Sequence, residues 1–224
     1  DFSAPVVVHY DYTIADLINI IENTTNDYAK WDAYQRFFFL QFKLIYAGLI
    51  KSSDTVSNVN LSNIKENVAA MVEVLTSLNV DKSVLAALLA IPNIESCMAH
   101  IENVEPQVMI KAHDVLSLII TDALSPTCKA LYHENMGIQA YKYEKEQVNQ
   151  RALKSACLHV LARSNFDDVS SLIKHQYTSC DNMTDKMSAL QAAQIVSDFY
   201  NDKVFNELML SFESEFNNDA VVMD

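Results

Sequence analysis

From Thr13 onward apolar positions recur at helical spacing in segment after segment, with polar stretches between them. Thr13 and Asp16 have the spacing of a capping box and predict a short helix through Ile21. The stretch that follows, Asn26 to Lys51, holds the single Trp, Trp31, and the run Phe37, Phe38, Phe39, Leu40. At helical spacing Asp32, Gln35, Arg36 and Lys43 share one narrow strip. Ala33, Tyr34, Phe37, Phe38, Leu40, Phe42, Leu44, Ile45 and Leu49 fill most of what remains. So thin a polar stripe predicts a rod about 36 Å long, buried on most of its circumference, with Trp31 in the core. The other helices are expected to wrap it. Charges interrupt the stretch too often for a membrane span of about 20 apolar residues.

After a polar loop over residues 52–60, Ile64, Val68, Met71, Val72 and Leu75 predict an amphipathic helix. Asp81 caps a shorter one, Val84 to Ile91, which Pro92 stops, and Asn93 to Ile101 makes another. Glu105-Pro106 and Ser125-Pro126 each place proline where a first helical turn tolerates it, which predicts two separate helices. Leu153, Ala156, Cys157, Val160 and Leu161 form the stripe of a helix from about Glu144 to Arg163. Asn165 with Asp168, and Asn182 with Asp185, repeat the start signal of a cap followed by an acid. The last helix is expected from about Asp202 to Phe216. Short connections imply antiparallel neighbours, so the fold class is all-α, a superhelical array of helix pairs of armadillo/HEAT type.

The two ends differ from the middle. Pro5 followed by Val6, Val7 and Val8 has strand character, and a lone strand leaves half its backbone groups without partners. Residues 1–10 are therefore read as the last strand of a preceding β-sandwich, and residues 11–224 as a helical domain truncated at its C-terminal end. The apolar run Ala220, Val221, Val222, Met223 reads as the start of a new pattern and not as a polar capping repeat.

Composition supports helices: two Gly and four Pro in 224 residues supply few of the turns that an all-β fold needs. A formal net charge of −13, without a Lys/Arg cluster, argues against nucleic acid and against anionic membrane surfaces as partners. Cys97, Cys128, Cys157 and Cys180 are widely spaced and read as free thiols of a reducing cytoplasm. No signal or transit pattern is visible at the start of the sequence.

Chemistry is sparse. Two glycines do not build a phosphate loop. His133-Glu134 opens like an HExxH zinc helix, but Gly137 stands where the second histidine must be. Cys97 with His100 has i, i+3 spacing and no second pair beside it; Cys157 and His159 point to different sides of their helix. The stripe Met183, Met187, Leu190 reads as core packing. Tyr10, Tyr12, Tyr28, Trp31 and Tyr34 read as anchors of a strand-to-helix junction, with a pocket lining as the alternative. No residue of the chain is assigned a catalytic, cofactor-binding or metal-ligating role.

Four blocks carry a resemblance: Phe2-Ser3-Ala4-Pro5-Val6; Asn26-Asp27 with Trp31-Asp32-Ala33 and Gln35; Arg151-Ala152-Leu153-Lys154 with Ala156-Cys157-Leu158 and Leu161-Ala162; and Asn182-Met183-Thr184-Asp185 with Ala189-Leu190. In this order they resemble the C-terminal part of the bacterial aminopeptidase N family, gluzincin zinc metallopeptidases. The resemblance spans the whole chain. It implies a parent enzyme that removes N-terminal amino acids from peptides in peptide catabolism. It also implies zinc bound outside this chain, by an HExxH motif and a downstream glutamate that do not occur here. The helical domain would be inert alone, would contact the catalytic and β-sandwich domains, and would cap the active site against bulk water and large substrates. The alternative is a free-standing helical-repeat scaffold that binds protein partners on a concave face.

Overall fold

The computed structural model describes residues 10–52, 55–137, 140–164 and 166–219. The strand expected over residues 1–10 and the apolar run from Ala220 lie outside this range, apart from Tyr10. Among the described residues the chain is helical throughout: α1 (Ile14–Asn23), α2 (Asp27–Lys51), a 3-10 turn (Val56–Asn58), α3 (Ser62–Ser77), α4 (Lys82–Leu89), α5 (Ile94–Met98), α6 (Pro106–Glu134), α7 (Lys145–Arg163), α8 (Val169–Ser179), α9 (Met183–Tyr200) and α10 (Val204–Phe216).

Local chemistry sets the boundaries. The Thr13 hydroxyl accepts from the Asp16 N–H at 3.1 Å while Asp16 accepts from the Thr13 N–H at 2.9 Å, the reciprocal capping box expected of α1. Asn26, Asp81, Asn93 and Asn182 each accept a backbone N–H in the first turn of the helix that follows. Asp168 precedes α8 without a side-chain capping bond, and Asn165 lies outside the described residues. Asn201 ends α9 in the left-handed conformation, φ 53°, which asparagine tolerates better than most residues.

Two expected helices are one. α6 runs through Ser125-Pro126 without a break, because Leu124 and Cys128 are buried on either side while Pro126 points to solvent. Proline donates no N–H to the helix there, and packing of both halves outweighs that penalty. The Asn93 to Ile101 segment, by contrast, shrinks to the five-residue α5.

The hub also moves. α2 packs on α1, α4 and α6, but α6 and α7 bind the array together: α6 meets α2, α3 and α7, and α7 meets α4, α6, α8 and α9. Along α2, Tyr34, Phe37, Phe38, Phe42, Ile45 and Leu49 are fully buried as expected. Trp31, at 38% exposure, and Leu44, at 57%, are not, whereas Lys30 and Gln41 are buried. The polar strip is thus displaced around the helix. Lys30 is inside because its ammonium donates to the Ile21 carbonyl at 2.6 Å and the Glu22 carbonyl at 3.3 Å, closing the C-terminal end of α1. Tyr46 does comparable work at the other end. Its hydroxyl donates to the Asn103 carbonyl and accepts from the Glu105 N–H, fixing the start of α6 against α2.

Candidate functional site

The polar groups that the fold brings together lie between α6, α7, α8 and α9. Lys154 donates to Asp185 Oδ2 at 2.7 Å, with both side chains buried. Asn182 donates to the same oxygen at 3.1 Å. Gln176 donates to the Asp185 carbonyl at 2.9 Å and accepts from the Tyr132 hydroxyl at 2.9 Å. Burial, and next the charge of Asp185, push the Tyr132 hydroxyl well above its ordinary range. The group is a chain of donors meeting acceptors that leaves Asp185 Oδ1 without a partner, and it ties the cap of α9 to α7. A buried pair of this kind serves register more than stability. It offers no open face for a substrate.

Beside it a groove runs between α4, α7 and α9, with a cavity volume of about 500 Å³. Ser155, His159 and Arg163 line its α7 wall on successive turns. Ser155 shares a 2.7 Å hydroxyl contact with Ser188, and His159 Nε2 lies 3.3 Å from the Ser188 carbonyl. Burial lowers the His159 pKa, opposed by that carbonyl, and because a carbonyl only accepts, Nε2–H is the donor.

The motifs singled out in the sequence do not converge. His133 and Glu134 are exposed at the end of α6, and Gly137 is exposed beyond it. Cys97 is buried, and burial pushes its thiol up to about 11. His100 is exposed and stacks on Phe39 at 4.0 Å. Cys157 is buried against Cys128; the hydrogen bond between them, and then burial, raise the Cys128 thiol far above its ordinary value. Both thiols are shut away from solvent. Met183 and Met187 are exposed and only Leu190 of that stripe is core, so the packing expected of the methionines is not found. The aromatic set also divides: Tyr34 is buried, Tyr12 is half-buried against the core with the exposed Tyr10 beside it, and Tyr28 with Trp31 forms an outward pair. Among the described residues no group of three or more His, Cys, Asp and Glu side chains is placed to hold a metal ion.

The family described as "Domain of unknown function (DUF3458_C) ARM repeats" matches residues 14–224. The chain belongs to this family. Its ARM-repeat domain is 25% identical over 224 residues to aminopeptidase N of Escherichia coli, covering all of this chain and 24% of that protein. It is 24% identical to aminopeptidase N of Haemophilus influenzae, again over all of this chain and 24% of the relative. The chain thus spans about a quarter of the length of these relatives, in their C-terminal part. Legionella pneumophila aminopeptidase A, solved in complex with aspartic acid, has the same fold: TM-score 0.74 at 18% identity, over 97% of this chain and 25% of that one. The ARM-repeat architecture is therefore shared with a solved aminopeptidase, and the expectation of a helical superhelix holds.

Proposed function

We propose that this chain is the C-terminal helical domain of a zinc aminopeptidase, inert by itself, which covers the catalytic unit and limits access to short peptides. The observation that carries this reading is the match of the whole chain, end to end, to aminopeptidase N at 25% identity. The likeness of fold to aminopeptidase A supports it. A free-standing scaffold gains no support from a comparable observation.

The zinc belongs to another part of the parent enzyme. The donor set here does not fit it, since His133 has Gly137 in place of a second histidine and no described cluster substitutes. No chemical step is therefore derived through the ion. What these residues contribute is shape. A rigid array built on α6 and α7 closes over a site, excludes water and admits substrates by size. The partners that follow are peptide substrates bound by the catalytic unit, and contacts within the polypeptide to the catalytic and β-sandwich domains. A cytoplasmic location is part of the proposal, supported by four free cysteines. No described helix is long and apolar enough to cross a membrane.

The coding DNA on both sides of this segment tests the assignment. An in-frame HExxH with a later glutamate upstream of Asp1 is the expected result. A start codon directly before Asp1, with a stop codon directly after Asp224, would replace peptide hydrolysis with the scaffold reading.

A further inference from the structure

A patch of aromatic side chains surrounds the entry of the chain into the helical array. Tyr10 is 62% exposed, and its ring centroid lies 4.6 Å from that of the half-buried Tyr12. The Arg36 guanidinium sits 5.4 Å from the Tyr12 ring, held there by Asp32 at 2.7 Å. Tyr28, Asp32 and Arg36 follow at i, i+4 and i+8 along one face of α2. Tyr28 is 71% exposed and lies 5.7 Å from the Trp31 ring. The four rings are thereby linked through Asp32 and Arg36 into one surface. Tyr, Trp and Arg are the side chains that carry most of the energy of protein–protein contacts, since the rings bury a large area while fixing only two torsions each.

Charge and reach select the occupant. Asp11 and Asp27 stand exposed at the edge of the patch, and the chain as a whole carries −13. A second copy or a nucleic acid would bring more negative charge to the same place, whereas an apolar face with a basic rim complements it. The chain matches only 24% of the length of its relatives, in their C-terminal part. On the function proposed above, most of the polypeptide therefore lies ahead of Asp1. Residues 1–9 reach at most about 30 Å when fully extended, so the end of the preceding unit lies within that distance of Tyr10. A tether so short holds the two at an effective concentration on the order of millimolar, at which a patch of a few rings suffices for docking.

We propose that Tyr10, Tyr28 and Trp31 form the dock on which the immediately preceding unit of the same polypeptide seats, an assignment that rests on reading this chain as a C-terminal domain. The partner face offers apolar depressions to the rings, carbonyl acceptors to the phenol hydroxyls, and Lys or Arg opposite Asp11 and Asp27. Contact there fixes the helical array in one orientation to the rest of the protein.

The test is photo-crosslinking in the intact protein from Tyr28→p-benzoylphenylalanine, a shape close to tyrosine, with adducts located by peptide mass spectrometry. Adducts on peptides encoded upstream of Asp1 are the expected result. Adducts confined to peptides downstream of Asp224 or to a second copy overturn the assignment, as does an absence of adducts. Hydroxyl-radical labelling of the unsubstituted intact protein gives a second measurement that needs no variant. Tyr143, 86% exposed ahead of α7, serves as the free phenol for comparison. Tyr28 should be labelled about tenfold more slowly than Tyr143, as for a ring in a desolvated interface. Labelling of the two in step contradicts the dock. An active aminopeptidase with a freely labelled Tyr28 would sink the dock alone. A protected, crosslinked Tyr28 in a protein that releases no N-terminal residues would sink the peptidase reading alone.

Discussion

At the scale of single residues, α2 separates what hydropathy predicts from what geometry decides. Phe37 and Phe38 are fully buried, and the Phe38 ring lies 5.9 Å from that of His113 in α6. Trp31 is not, although it is the largest apolar side chain in the sequence; it pairs with Tyr28 at 5.7 Å on the outer side of the first turns. Lys30 is the converse case, a charge drawn inside by two carbonyls at the end of the preceding helix. Neither position was legible, because each depends on where α1 ends in space and not on the period of α2. The consequence is measurable by denaturant unfolding. Phe38→Ala should cost about 3–5 kcal/mol, the loss of a fully buried ring. Trp31→Ala should cost about 1 kcal/mol, as for a side chain that keeps contact with solvent. Equal losses at the two positions would put Trp31 back in the core.

At the scale of elements, capping was the most legible feature and continuity the least. Thr13 with Asp16 and Asn182 with Asp185 start their helices as their spacing requires, because a cap is chemistry within four residues. Pro126 misleads for the opposite reason: whether a proline starts a helix or interrupts one depends on which face it occupies. Here it occupies the exposed face of α6, with Leu124 and Cys128 holding both flanks in the core. α6 therefore carries a local penalty that packing overrides. Pro126→Ala restores a backbone N–H at that point and improves helix propensity, against a smaller loss from a less restricted unfolded chain. It should stabilise the protein by about 1–2 kcal/mol, read as a rise in melting temperature. A fall would mean that α6 needs a bend at Pro126 to meet both α2 and α7.

At the scale of the whole molecule, the helical class followed from periodicity, while the arrangement did not. The hub is α6 with α7, and α7 was read as having one apolar stripe although Lys154, Leu158 and Ala162 are also buried. A helix surrounded by four others buries most of its sides, and a polar residue such as Lys154 is admitted because Asp185 meets it there. The groove with Arg163 was equally hidden, since its walls come from α4, α7 and α9 and no local spacing joins them. Function was legible only through blocks shared with a family, because the chain carries none of the motifs that perform chemistry. As proposed above, this domain covers the active site of an aminopeptidase. Its most direct test is release of the N-terminal residue from a short peptide, measured side by side for the intact protein and for the 224-residue chain alone. Stepwise release by the intact protein is expected, with none from the same peptide when it is N-acetylated and none by the isolated chain. A folded intact protein that releases nothing, or an isolated chain that releases residues, would contradict it.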